Sequence, residues 1–130
     1  MSFVIPTEEL NFLINEALNV VPVKASVQIL SNLLFEVRGG MLKITATDLM
    51  VGISCETDVK MLKEGAVALP AKKLASLLRE LTAPTLQVTI HDNFVTEIQA
   101  GTSKFKIHGM APIGFPQLPE VAAATSASAQ

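Results

Sequence analysis

Two stretches of this chain superimpose at one fixed offset. Ile5-Pro6-x-x-x-Leu10-x-x-Leu13-Ile14-x-Glu16 matches Leu69-Pro70-x-x-x-Leu74-x-x-Leu77-Leu78-x-Glu80, so Pro6 falls on Pro70, Leu10 on Leu74, Leu13 on Leu77 and Glu16 on Glu80, each 64 positions on. Leucines at helical spacing arise readily by chance. An apolar strand end, a proline, the leucine spacing and the glutamate arise together far less readily. The pattern marks a duplicated unit, and a unit of this kind buries its apolar face only against its twin.

Each copy reads as β-α-β-β-β. In the first, Phe3 to Ile5 forms a short strand that Pro6 stops. Thr7 is the expected N-cap, and Glu8 and Glu9 in the first turn suit the helix dipole. Leu10, Leu13, Ile14, Ala17, Leu18 and Val21 then fall on one helical face, and Pro22 ends the helix or lies just past its end. A loop over residues 23–28 leads to an apolar strand over Ile29–Val37. Gly39-Gly40 is a two-residue hairpin turn, because both residues accept positive φ. Met41–Thr47 and Val51–Glu56 alternate as strands. In the second copy, Ala66–Leu69 is the strand and Pro70 the stop, and the helix turns Leu74, Leu77, Leu78 and Leu81 inward. Strands follow over Leu86–Ile90, Phe94–Ala100 and Ser103–His108, with Asp92-Asn93 as the counterpart of the glycine turn. The expected fold class is α+β, with two adjacent helices on one face and antiparallel sheets on the other. The units span about 1–61 and 65–120, in a domain over 1–121. Residues 122–130, nearly all Ala, Ser and Thr, read as a flexible tail or the start of a linker.

Composition narrows the function. With 130 residues, 49% of them hydrophobic, the chain fits one domain with a real core. A net charge of −2 argues against a whole surface that binds nucleic acid, but not against one basic strip. Six Phe, no Trp and no Tyr are too few rings for a base-stacking platform. Cys55 stands alone, so no internal disulfide or cysteine metal cluster is expected. A reducing cytoplasm is the simplest setting. The N-terminus lacks the look of a secretory signal, and no apolar run approaches the ~18 residues of a membrane helix.

Several stretches resemble the first domain of the bacterial sliding clamp, the beta subunit of DNA polymerase III. They are Ile29-Leu30-Ser31-Asn32-Leu33-Leu34, Leu42-x-Ile44-x-Ala46-Thr47-Asp48-Leu49, Leu69-Pro70-Ala71-Lys72-Lys73-Leu74 and Phe115-Pro116-x-Leu118-Pro119. The resemblance covers roughly residues 1–121. It implies the DNA-clamp fold, in which each domain is two β-α-β-β-β units, three domains make a chain, and two chains close a ring around duplex DNA with helices inward. It also implies the ring's partners: duplex DNA, a second clamp chain, a clamp loader and the replicative polymerase. No cofactor and no membrane are expected. No third Pro-led helix entry follows Val121, so the chain is expected to be a fragment of a longer one. The family's peptide pocket lies in later domains, and no pocket residue is carried over.

The resemblance also picks out side chains. On the second helix, Lys72, Ser76 and Arg79 share a side, with Lys73 next to it. Lys72, Lys73 and Arg79 are expected to touch phosphates loosely. Such contacts carry no sequence information and so permit sliding. Lys24 matches a family position that holds a basic residue reaching the duplex, and Asn15 projects from the polar side of the first helix. Read without the resemblance, these are ordinary solvated positions. On the last strand, Phe105 and Ile107 alternate with Lys104 and Lys106. Phe105, Ile107 and Lys104 form a candidate subunit joint by strand addition, or else the two apolar residues are simply an inward strand face. His91 and His108 lack neighbours at ligand spacing and read as surface or turn residues. Cys55 reads as core, and Asp48 as a turn former. No catalytic motif, nucleophile with base, or metal set appears. Three hypotheses follow: a clamp domain without catalysis, a protein–protein adaptor with the clamp fold and no DNA role, and, least supported, a small enzyme of unrecognised type.

Overall fold

The computed structural model describes residues 1–21, 31–48 and 50–115. In chain order the elements are β1 (Ser2–Pro6), α1 (Thr7–Leu18), β2 (Asn32–Arg38), β3 (Met41–Thr47), β4 (Gly52–Asp58), β5 (Lys60–Lys63), β6 (Gly65–Pro70), α2 (Ala71–Glu80), β7 (Thr85–Ile90), β8 (Val95–Ala100) and β9 (Ser103–His108), then a short 3-10 turn over Pro112–Gly114. Among the described residues the fold is α+β, with two α-helices and two antiparallel sheets. The sequence reading of residues 23–28, Ile29, Leu30, Pro22 and the tail lies outside the described residues, as do Lys24 and Leu49.

The two sheets run β4-β3-β2-β6 and β5-β1-β7-β8-β9. The halves are therefore interlocked, and do more than pack face to face. Each sheet takes three consecutive strands from one half and the opening strand of the other. β6 joins β2, setting Leu69 beside Leu33 and Val67 beside Phe35. β1 joins β7, setting Ile5 beside Leu86 and Phe3 beside Val88. The strand β5 is additional to the five-element unit, and it pairs with β1 instead of extending the sheet of its own half. It straddles the point where the two units were expected to part.

One core runs through both halves. Phe3, Ile5, Leu10, Ile14, Leu33, Phe35, Leu42, Ile44, Leu69, Leu74, Leu78 and Leu86 are its largest fully buried side chains. α1 packs on α2 and on β1, β3 and β4. The helix stripes match the leucine spacing, with two refinements. Ala75 is buried between Leu74 and Leu78, whereas Leu77 and Leu81 are only half-buried.

The expected Thr7 cap is corrected. Pro6 holds the N-cap position with φ −62°, and no side chain caps the helix. Thr7 is the first helical residue. Its Oγ1 donates to the Ala83 carbonyl at 2.6 Å, and its backbone N–H donates to the Pro84 carbonyl at 2.9 Å. The chain passes directly from strand to helix through a proline whose fixed φ suits both, leaving no separate capping residue. Thr7 instead ties the start of α1 to the segment that follows α2.

The turns also differ from each other. Gly39 and Gly40 have φ +60° and +80°, as the two-residue hairpin requires. Its counterpart is longer than the expected Asp92-Asn93. Phe94 joins it with φ +66°, an uncommon conformation for a bulky residue. It is held by Phe94 N–H to the His91 carbonyl at 2.9 Å and His91 N–H to the Val95 carbonyl at 3.0 Å, while Asn93 Oδ1 accepts from the Val95 N–H at 3.2 Å.

Beyond β9 the chain folds back over β6. Ala68 and Met110 exchange both backbone hydrogen bonds, at 3.0 and 2.8 Å, and Phe115 packs against Ala68. Gly109 makes this return possible. A Cβ there would stand 2.7 Å from Val67 Cγ2 and 2.8 Å from the Phe94 carbonyl oxygen. Because one of these neighbours is backbone, Gly109→Ala is expected to destabilise the fold by about 1–3 kcal/mol, the usual cost of overpacking. Urea denaturation followed by circular dichroism measures it, and an unchanged midpoint would contradict the close approach.

Candidate functional site

The offset of 64 that relates the helix entries also relates their outward faces. Glu8 corresponds to Lys72, Glu9 to Lys73, Phe12 to Ser76, Asn15 to Arg79 and Glu16 to Glu80. Apart from half-buried Glu9, all of these residues are exposed, so two equivalent stripes stand on two adjacent helices. The stripes carry opposite charge. α1 has Glu8, Glu9 and Glu16 and no cation, whereas α2 has Lys72, Lys73 and Arg79 against Glu80.

Burial on the far side fixes the basic stripe. Ala71, Leu74, Ala75 and Leu78 sit at 2% exposure or less, which turns Lys72, Lys73, Ser76 and Arg79 to the surface. Arg79 lies in the last turn, where the helix dipole favours a cation. Asn15 is exposed on α1, as expected from its helical position. Glu8 and Glu9 lie in the first turn of α1. Glu9 has a second role: its carboxylate accepts a hydrogen bond from the Thr57 hydroxyl on β4, which fastens α1 to that strand. The sequence gives no sign of this contact, because the partners lie 48 positions apart. Also absent from the sequence reading is Phe12, whose ring is 62% exposed in the middle of the acidic stripe.

β9, the strand of the candidate joint, is an open end of its sheet. Phe105 and Ile107 are half-buried against the core while Lys104 and Lys106 are exposed. The two readings of Phe105 and Ile107 are thus compatible: they face inward, on a strand whose outer backbone has no strand beside it among the described residues. Beside them, His91 Nε2 lies 3.2 Å from Glu97 Oε1. The hydrogen bond from His91 holds the Glu97 carboxyl below its usual range, helped by the charges of Lys104 and Lys106. His91 and His108 are both exposed, and among the described residues no group of three or more His, Cys, Asp or Glu could hold a metal.

Asp48 is the turn former its position implied. Its Oδ1 accepts from the backbone N–H groups of Val51 at 2.8 Å and Met50 at 2.9 Å, and these bonds, Val51 first, lower its pKa. The turn lifts Met50 and Val51 into solvent. Cys55 is half-buried on β4 instead of fully enclosed. Burial, and then the charge of Glu16, raise its thiol pKa. No helix among the described residues is long and apolar enough to cross a membrane.

Comparison with known proteins fits this architecture to one family. The sequence model described as "DNA polymerase III beta subunit, N-terminal domain" matches residues 1–119. The chain belongs to this family. The beta sliding clamp of Chlamydia trachomatis is 36% identical over 121 residues, covering 93% of this chain and 29% of that protein. The crystal structure of the DNA polymerase sliding clamp from Bacillus subtilis superimposes with a TM-score of 0.89 at 19% identity, over 93% of this chain and 34% of that one. At that identity the likeness speaks to the fold. A sliding clamp of Bartonella birtlesii, DNA polymerase III subunit beta bound to griselimycin, superimposes with a TM-score of 0.86 at 26% identity, over 93% of this chain and 33% of that one. The chain thus spans about a third of the length of the clamps it matches. The clamp fold that the resemblance implied is the observed one.

Proposed function

We propose that this chain is the first domain of a processivity clamp, which surrounds duplex DNA and tethers the replicative polymerase without reading sequence. The observation that carries the reading is the exposed cationic stripe of α2, set opposite the buried face that anchors the helix. Lys72, Lys73 and Arg79 offer long side chains to phosphates, and Asn15 on α1 adds a neutral donor. Lys24, by resemblance, matches a family position whose basic residue contacts the duplex. Phosphate contacts position a protein without specifying sequence, and nonspecific affinity of ~10⁻⁴ to 10⁻⁶ M at physiological salt is too weak to retain a polymerase. Retention therefore comes from ring closure. Phe105, Ile107 and Lys104 on β9 supply this domain's side of the joint to a second clamp chain. Loader and polymerase complete the partners, in the cytoplasm. The role is mechanical and requires no catalysis or cofactor.

The acidic stripe of α1, with Phe12 exposed between Glu8 and Glu16, favours a second reading: an adaptor that binds protein and not DNA. Duplex binding measured against salt separates the two. For the clamp domain, Lys72→Ala, Lys73→Ala and Arg79→Ala are each expected to flatten the slope of log affinity against log salt. The change is roughly 0.9 for every phosphate that a substitution leaves unneutralised. A slope unchanged in the triple variant would leave the adaptor.

A further inference from the structure

The outward faces of α1 and α2 are equivalent position by position, and the helices pack side by side. The equivalent positions differ in size as well as in charge. Phe12 of α1 is a large ring at 62% exposure, and its counterpart on α2 is Ser76, which is small and exposed. One turn to either side of Phe12 stand Glu8 and Glu16. One turn to either side of Ser76 stand Lys72 and Arg79, with Lys73 next to Lys72. One helix therefore presents a ring between two acids, and the other a shallow step between cations. Glu80 is the one acid on that face of α2.

Within one copy these two stripes cannot face each other. The buried sides of both helices hold them against one core, so the stripes stand next to each other at the surface. Between two copies they can meet. A twofold axis lying in the contact plane, midway between the helices and parallel to them, sets α1 of each copy over α2 of the other. Phe12 then enters the step at Ser76 and lies along the aliphatic stems of Lys72 and Arg79, whose charged ends turn toward Glu8 and Glu16. The same contact occurs twice. The other pairing, α1 on α1 and α2 on α2, would bring acids against acids and cations against cations. Exposed ion pairs contribute little by themselves, so the ring supplies most of the affinity and the charges select the pairing.

We propose that this helix face is self-complementary and that a second copy of the chain docks on it, as a closed dimer with Phe12 of each copy seated on Ser76 of the other. The contact covers Lys73 and Arg79, so a chain in this dimer keeps those cations from any other partner. The inference stands apart from the clamp reading: the face can hold a second copy whether or not it also meets DNA.

Sedimentation equilibrium of the 130-residue chain at low salt tests this. The wild type is expected to reach twice the monomer mass and stop there, because a twofold contact closes on itself. Phe12→Ala is expected to weaken association on the order of tenfold or more, through loss of its aromatic anchor. Glu8→Lys with Glu16→Lys, and separately Lys73→Glu with Arg79→Glu, are each expected to weaken it by roughly tenfold or more. An equimolar mixture of the two charge variants restores it, since acids then meet cations in both halves of the contact. All of these positions are exposed, and circular dichroism checks that the variants fold. A wild type that stays monomeric would overturn the proposal. So would growth past the dimer, association that survives Phe12→Ala or either charge reversal, or a mixture that fails to recover. A monomer that still shows the salt slope set by the α2 cations would sink the dimer and leave the clamp reading standing.

Discussion

Phe3→Ala is expected to remove about 3–5 kcal/mol of unfolding free energy, the usual cost of deleting a fully buried phenylalanine. Phe3 has no exposed surface and lies in a strand flanked on both sides, with Met61 across one edge and Val88 across the other. Domains of this size hold only about 5–15 kcal/mol in total, so the variant sits near the limit of folding. The position adds a second expectation. β1 belongs to the first half of the chain but is built into the sheet of the second half, so damage at Phe3 loosens both. Urea unfolding is therefore expected to remain one cooperative transition, displaced to lower denaturant, whether followed by circular dichroism or by hydrogen exchange of β2–β4 amides. Two separate steps, or a loss below about 1 kcal/mol, would show that the halves hold together without the exchange.

Leu74→Ala should cost about 2–5 kcal/mol. Leu74 is 1% exposed in the centre of α2 and has Leu10 of α1, also 1% exposed, as its equivalent in the other half. Its interest lies in what it leaves untouched. Lys72, Lys73 and Arg79 are on the opposite face, so the folded fraction of the variant keeps its cations where they were. Below the denaturation midpoint the salt slope of duplex binding is expected to match wild type, even though stability has dropped. The alanine variants of the cations should give the reverse: normal stability and a reduced slope. A Leu74→Ala protein with wild-type stability would mean that α2 is not anchored by this leucine.

The contrast between these residues shows what can be read without coordinates. The helix stripes, the glycine turn and the β2, β3, β7, β8 and β9 strands are legible because burial imposes a period of 3.6 or 2 on apolar residues. Lys72 and Arg79 are legible as one face for the same reason. Periodicity marks which way a strand faces but not which strand lies beside it. The exchange of β1 and β6 between halves therefore leaves no trace. Nor does β5, where Lys60-Met61-Leu62-Lys63 is too short and too charged to stand out and gains its place by pairing with β1. Thr7 resembles a cap, but the cap position is already occupied by a proline. At Phe94 the turn takes a backbone conformation that its side chain does not advertise. Charge on a helix is plain in sequence, whereas whether phosphate ever reaches it depends on where the neighbouring domains and chains stand.

The exchanged strands also set an order of events at the ribosome. β2, β3 and β4 emerge as an incomplete sheet whose fourth member, β6, has yet to be translated, while β1, which precedes the other strands of its sheet, waits for β7 before its second edge is covered. The first half of the polypeptide thus spends its early life with its leucines incompletely sheltered, and the domain locks only as the second half arrives.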